Sequence, residues 1–488
     1  MPAKTLEAPL DARLWIGGKK HKSSTGKTFP VKNPANGDII AQVAEGGAED
    51  VDLACQAAAK AAQGPWGRIS ARQRARILFD CARKLRDAQE ELAQLETRNT
   101  GKTLADSRDE AQGVADTFEY YAGAVSKFFG ETIPVGAAGL DFTLKQPVGV
   151  CALIVPWNYP MMITAWKLAP ALACGNTVVI KPASWTPLSA LRLAELCAEA
   201  GVPEGVINVI TGPGGVVGEA LAGHPLVRKI SFTGETSTGA RITKAAADSI
   251  KRVSLELGGK SANVVFDDAD LDLCVEKSIW SVFSNTGQDC CARSRAIVHH
   301  KIYDRFVERV VARTKKIVVG DPLKKGTEMG PMISLKQRDG VAGYVELGKK
   351  EGAQVAYWGG VPKDGELAKG AYITPAVLAG AKPAMRVVQE EIFGPVLCVL
   401  PFKTEEEAVT LANDSPYGLS GSLWTRDIGR ALRVAKAIQT GNLSINSSSS
   451  VHIEAPFGGF KTSGLGRELG MKAMDLYSEV KNVFISEL

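Results

Sequence analysis

The sequence predicts an α/β protein: a doubly wound, mostly parallel sheet, then a second α/β domain, with a small β element towards the end. Three observations predict it. Between about residues 142 and 256, short β-branched runs alternate with Ala/Leu-rich helical stretches, as in strands that helices cover on both faces. A second mixed segment runs from Gly258 to about Asn446. The 488 residues also exceed what one core organises, at about 100–200 residues per domain, so two or three domains are expected.

In chain order, the first 30 or so residues mix Pro, Gly, Lys and Ser and lead into Phe29-Pro30-Val31-Lys32-Asn33-Pro34, a short extended entry. From Glu49 to about Phe129, Leu and Ala recur at three- and four-residue spacing, which predicts a helical layer. Residues 150–155, 177–181 and 206–210 are continuous apolar runs suited to parallel strands buried on both faces. Helices are expected between them, from about Pro187 to Ala200, where Gly201 stops the first, and from about Gly215 to Leu221. In such a sheet ligands sit beyond the carboxyl ends of the strands. Residues 295–298 and 396–400 read as strands of the second domain. Residues 477–485 form a β-rich tail with no obvious partner nearby, and addition to a neighbouring subunit is one way to satisfy it. There is no repeat or low-complexity tract beyond the run Ser447–Ser450.

Composition narrows the function. The 58 basic and 53 acidic residues give a net charge of +5 without a long basic run, so nucleic acid is not implied. No apolar stretch reaches the roughly 18–20 residues that span a bilayer, and the first ten residues carry an acid and two prolines where a signal peptide is apolar. Nine scattered cysteines without a C-x-x-C pair suggest neither a disulfide framework nor a zinc site, and a reducing, cytoplasmic compartment fits. Cys55, Cys81, Cys174 and Cys197 lie in helical pattern and read as small core residues.

Three segments carry chemistry. Cys290 is reached through the turn-like Thr286-Gly287-Gln288-Asp289 rather than an apolar helix, which presents a thiol that can attack as thiolate. A structural cysteine is the alternative. Glu256 follows the strand-like Val253-Ser254-Leu255 and precedes Gly258-Gly259; a buried carboxylate there has a raised pKa and can activate water, while an acid capping a turn is the bland reading. Asn158, in Pro156-Trp157-Asn158-Tyr159-Pro160 at the end of the first strand, is either an amide donor for an oxyanion or a polar turn residue.

These segments join others in a fixed order: Pro156-Trp157-Asn158, Lys181-Pro182-Ala183, Phe232-Thr233-Gly234, Leu255-Glu256-Leu257-Gly258-Gly259-Lys260, Gly287-Gln288-Asp289-Cys290, Glu390-Glu391-Ile392-Phe393-Gly394-Pro395 and Pro456-Phe457-Gly458-Gly459-Phe460-Lys461. In this the chain resembles the aldehyde dehydrogenase superfamily over essentially its whole length, closest in flavour to the betaine-aldehyde and aminoaldehyde dehydrogenases. The resemblance implies a dinucleotide-binding domain over residues 1–127 and 148–257, a catalytic domain over 258–460, and a β oligomerisation element over 128–147 and 471–488. It implies Cys290 as nucleophile, Asn158 as oxyanion donor together with the Cys290 N–H, and Glu256 as the base that hydrolyses a thioester. It further implies NAD, with NADP also plausible. Lys181 and Glu391 would hold ribose hydroxyls, Trp157 and Phe393 would pack near the nicotinamide, and the phosphates would meet the helix after Gly234. The glycine run at residues 212–215 has imperfect spacing for a G-x-G-x-x-G fingerprint.

Two positions depart from the family. Glu235 stands where a phosphate-touching Ser is common, and Ser184 where NAD-preferring relatives carry a Glu, which weakens discrimination against NADP. For the substrate, Tyr159, Trp166 and Phe457 resemble an aromatic box for a cationic group, and Asp289 could face an amino group, but Ser284 leaves the box incomplete. An aminoaldehyde or betaine aldehyde and an unspecialised aliphatic or aromatic aldehyde are both expected readings. A CoA-acylating enzyme has little use for Glu256, and an inactive scaffold has no use for the trio. The expected partners are a small-molecule aldehyde and further copies of the chain, as a homodimer or homotetramer, with neither nucleic acid nor membrane.

Overall fold

The computed structural model describes residues 10–449 and 451–487. Met1 to Pro9 and Ser450, the last of the serine run, lie outside them. An eight-stranded sheet holds five parallel strands, in the spatial order Arg252–Glu256, Val227–Thr233, Val150–Ile154, Thr177–Lys181 and Ile207–Val209. The first of these in sequence, Val150–Ile154, is central: the chain moves outward to one side through 177–181 and 207–209, then returns to the other side through 227–233 and 252–256. The order therefore reverses between Val150–Ile154 and Val227–Thr233, and a crevice opens beyond their carboxyl ends.

Both faces of this sheet are covered. Helices Ala71–Asp87, Gln89–Thr100, Leu104–Ala124, Pro160–Ala173 and Leu188–Glu199 supply one core, and Ala48–Gln63, Glu219–Gly223 and Thr236–Ala247 the other. The stretch from Glu49 to Phe129 is thus helical as expected, but its first helix packs on the opposite face from the rest. The expected helix 215–221 opens as one wide turn, Gly214–Gly218, before Glu219–Gly223. Cys55, Cys81, Cys174 and Cys197 are buried, and all nine cysteines are unpaired.

The second sheet has seven strands, six of them parallel, centred on Ala262–Val265 and Arg295–His299. Only residues 257–261 connect Arg252–Glu256 of the first sheet to Ala262–Val265 of the second. Gly464–Leu465 then returns to the first sheet and pairs antiparallel with Leu255 and Glu256.

The tail corrects an expectation. Ser478–Ser486 finds its partner within the chain, pairing antiparallel with Gly139–Pro147 from Ser478↔Pro147 to Ser486↔Gly139. The local pattern gives no sign of this partner, which lies more than 330 residues away, and only the resemblance had placed the two segments in one β element. Thr132–Ile133 completes this three-stranded sheet. It carries exposed Leu140, Leu144, Val480, Phe484 and Ile485. Among the described residues no helix is long and apolar enough to cross a membrane.

Candidate active site

The crevice at the strand reversal continues into the space between the two sheets as one cavity of about 1010 Å³. Twelve of the thirteen residues singled out in the sequence line it, and Ser184 does not.

The Cys290 segment is held in an unusual backbone path by its own side chains. Helix Leu271–Phe283 ends, and Asn285 (φ 49°), Thr286 (φ 57°) and Gly287 (φ 71°) take successive left-handed conformations. Such conformations cost of order 1–3 kcal/mol at a residue other than glycine and persist only where surroundings enforce them. Here they do: Asn285 Nδ2 donates to Asn158 O at 3.0 Å, Thr286 Oγ1 to Gly330 O at 2.9 Å, and Gln288 Oε1 accepts from Ile333 N at 2.8 Å. The coil delivers Cys290 half-buried at the cavity wall.

Asn158 follows the central strand and is buried. Its Nδ2 donates to Gln288 O at 3.1 Å, which ties the end of the first sheet to the Cys290 loop and leaves the second amide N–H free for another acceptor. Among the described residues the Cys290 N–H makes no hydrogen bond. Two donors are therefore available beside the thiol.

Gly258 and Gly259 explain why the connection is glycine-built. A Cβ on Gly259 would stand 2.2 Å from the Cys290 carbonyl oxygen, and one on Gly258 would stand 2.3 Å from a Glu391 carboxylate oxygen. The backbone is approached too closely for any side chain. In this contact Gly259 N donates to Glu391 Oε1 at 2.9 Å, which fixes that carboxylate at the cavity. Burial pushes the Glu391 carboxyl up to about 7, against the Gly259 hydrogen bond and Lys260.

Glu256 ends its strand buried, with Oε2 lacking a hydrogen-bond partner. Burial, then the nearby Glu468 carboxylate, raises its pKa well above the usual range, while Lys167 opposes them. Lys167 is itself buried and pairs with Glu468, and its Nζ also donates to Ser231 Oγ at 3.1 Å. Sequence reading missed Lys167 and Glu468, although a lysine inside the apolar helical run Ala165-Trp166-Lys167-Leu168 was itself a signal, since a fully buried lysine requires a partner. The Cys290 pKa is likewise raised, by the neighbouring Cys291 thiol first, then by burial and the Asp289 carboxylate.

At one end the cavity is a slot between Gly214, Gly215, Gly218 and Ala222 on one side and Thr238, Arg241 and Ala245 on the other, with Lys181 and Gly234 at its floor. Burial pushes the Lys181 ammonium down to about 8, and its Nζ donates to Pro182 O at 2.9 Å. The Ser184 hydroxyl turns away, donating to Gly212 O at 2.9 Å, so that only its lone pairs remain for a ligand. Glu235 is exposed and accepts from Ser237 Oγ at 2.8 Å at the start of helix Thr236–Ala247. Trp157 meets Phe393 edge-on at 5.1 Å, with Phe393 in a left-handed conformation (φ 54°).

The other end is walled by Tyr159, Met162, Trp166, Val451, Ile453 and Phe457, with Trp166 and Phe457 in edge contact at 5.4 Å. Asp289 supplies a carboxylate, its Oδ1 accepting from Cys291 N at 2.8 Å. Tyr159 is already engaged: the buried Lys102 ammonium, paired with Glu110, lies 4.2 Å from its ring centroid. This contact was invisible in the sequence, where Lys102 sits 57 positions from Tyr159.

A slot of glycines feeding a thiol with two free donors and a buried carboxylate is the arrangement of an enzyme that forms and hydrolyses a thioester next to a bound dinucleotide. Comparison with known proteins agrees. Residues 21–483 match the aldehyde dehydrogenase family, and the chain belongs to that family. It is 44% identical over 477 residues to the mitochondrial aldehyde dehydrogenase of Rattus norvegicus, covering 97% of this chain and 91% of that protein. It is 43% identical to the betaine aldehyde dehydrogenase of Bacillus subtilis, covering 97% of each. The crystal structure of betaine aldehyde dehydrogenase from Staphylococcus aureus in complex with NAD+ is similar with a TM-score of 0.95 and 41% identity, covering 97% of this chain and 94% of that one.

Proposed function

We propose that the protein oxidises an aldehyde to a carboxylic acid with NAD(P)+, through a thioester on Cys290. The observation that carries this reading is the single cavity in which the glycine slot, Cys290, Asn158, Glu256 and an apolar wall meet. The slot suits a dinucleotide: a buried Thr233 hydroxyl on its wall lacks a partner, and Lys181 and Glu391, which line the same cavity, would hold ribose hydroxyls. Bound nicotinamide supplies the acceptor for the hydride that leaves the aldehyde carbon.

The residues do the rest. Cys290 gives its proton to solvent in the cavity and adds to the carbonyl carbon, and the oxyanion so formed is met by the free N–H of Asn158 and by the Cys290 N–H. Once the adduct has become a thioester, Glu256 takes a proton from water, which attacks the acyl carbon and releases the acid and the thiol. Its unpartnered Oε2 is the acceptor this step needs. The test is NADH release from a simple aldehyde with and without CoA: turnover independent of CoA is expected, and dependence on CoA would replace hydrolysis by acyl transfer.

The apolar wall of Met162, Trp166 and Phe457 suits an aliphatic or aromatic aldehyde. A second reading, an aminoaldehyde or betaine aldehyde, draws on Asp289 and the ring faces, although Lys102 has already taken one face of Tyr159. Comparing kcat/KM over a panel of neutral and cationic aldehydes separates the two. The cytoplasmic reading is supported by nine unpaired cysteines. The exposed apolar residues of the tail sheet support self-association there, and light scattering of Val480→Glu/Phe484→Glu against the wild type tests it.

A further inference from the structure

Beside the reaction path, three ligand groups of one short segment converge. The sulfur atoms of Cys290 and Cys291 and a carboxylate oxygen of Asp289 all lie within 4.8 Å of one another. The two sulfurs and the carboxylate belong to three consecutive residues and meet on one wall of the cavity. The Cys291 N–H holds Oδ1 of Asp289 at 2.8 Å, so the carboxylate stays on the side of the sulfurs. The nearest cations are committed elsewhere: Lys102 pairs with Glu110, and Arg293 donates to Cys291 O and Ser422 Oγ. All three ligands line the large cavity, so an ion from solvent can reach them.

We propose that Asp289, Cys290 and Cys291 form a binding site for a thiophilic divalent cation, Zn2+ or Cd2+, whose occupation caps the nucleophile and switches the protein off reversibly. Two sulfurs with one carboxylate select such ions over Mg2+ or Ca2+. With metal–sulfur bonds of about 2.3 Å and metal–oxygen bonds of about 2.0–2.2 Å, the ligands of a tetrahedral ion sit roughly 3.5–3.8 Å apart, a closure that side-chain rotation can supply. The fourth position faces the cavity and takes water. On binding, each ligating thiol gives its proton to solvent and no electron moves; a chelator removes the ion and the protons return. The binding half of this inference stands on geometry alone, and the switching half rests on the proposed function.

The test uses the reduced, tag-free full chain. Calorimetric titration with Zn2+ is expected to show one tight site per chain, and Cd2+ to give an ultraviolet thiolate-to-metal charge-transfer band. Cys291→Ala, with Cys291→Ser as a variant of similar volume, should weaken the site by at least about 100-fold, the upper end of what losing even a supporting group costs. His300→Ala should leave it unchanged, which separates it from the stacked pair of buried His299 and exposed His300. Equal Zn2+ affinity in wild type and both Cys291 variants, or no cadmium–thiolate band in the wild type, would overturn the proposal. Metal binding as expected in a protein that oxidises no aldehyde when metal-free would sink the reading of the reaction and leave the site standing. Binding without inhibition would limit the ion to Asp289 and Cys291 and refute the switch.

Discussion

The two ends of the cavity are built from different materials. The slot end is made of backbone: Gly214, Gly215 and Gly218 facing helix Thr236–Ala247, with Glu391 pinned by the Gly259 N–H. The far end is made of side chains, from helix Pro160–Ala173 and the loop 451–457. Backbone recognition cannot change without changing the fold, whereas a side-chain wall can. The first end therefore defines the family, and the second is free to define the substrate.

Alteration where the two ends meet is expected to be the most damaging. Cys290→Ala should abolish oxidation while dinucleotide binding, followed by fluorescence titration, is retained, and Cys291→Ala should keep most activity. Full activity in Cys290→Ala would remove the nucleophile from the comparison altogether. Next in size, Glu256→Gln should release one equivalent of NADH and then stall, a loss of roughly 10²–10⁴ in steady-state turnover, as removal of a general base gives. Rapid multiple turnover would mean that another base activates the water.

The raised pKa of Glu256 gives a sign to the pH dependence. A base must be ionised, so hydrolysis should quicken as pH rises through the elevated pKa. Glu468→Gln removes the neighbouring negative charge and leaves Lys167 facing Glu256, and both changes lower that pKa. The rising limb of kcat against pH should move to lower pH in this variant. An unmoved limb would assign it to the Cys290 thiol instead.

The two ends themselves should respond more weakly, each in its own way. If the substrate is cationic, Trp166→Ala should raise KM for an aminoaldehyde by about 2- to 30-fold more than for a neutral aldehyde of similar length, the range corresponding to a cation–π contact of about 0.5–2 kcal/mol. Equal losses would favour plain packing. At the slot, the wild type should use both NAD and NADP, and Ser184→Glu should improve kcat/KM for NAD by up to roughly tenfold and depress that for NADP at least as much. The gain is bounded because Ser184 is tied to Gly212 O and a longer side chain must first displace that contact. Strict NAD dependence, unchanged by the substitution, would place discrimination elsewhere in the slot.

The same contrast explains what could be read in advance. The strands at 150–155 and 177–181, the turn at 285–288 and the glycine pair at 258–259 were legible because each is local: apolar runs, left-handed turns and close approaches restrict the residue types at fixed offsets. Locality alone left Asn158, Glu256 and Cys290 each with a structural alternative, and only the resemblance carried by seven ordered segments gave them roles. Lys167–Glu468 and Lys102 over Tyr159 were not legible, since each joins segments far apart in the chain and a buried charge does not announce its partner. Nor was the direction of the Ser184 hydroxyl, which depends on where the loop at Gly212 falls.

The return of Gly464–Leu465 to the first sheet bears on the order in which the protein is made. Glu256 and Cys290, the proposed base and nucleophile, are both translated by residue 290, yet the strand that flanks Glu256, the Phe457 wall and the Glu468 carboxylate that raises the Glu256 pKa come from residues 457–468. A ribosome-bound chain stalled before those residues holds a cysteine and a glutamate with no finished chamber around them. Catalytic competence arrives with the closing stretch of synthesis rather than with the residues that perform the chemistry.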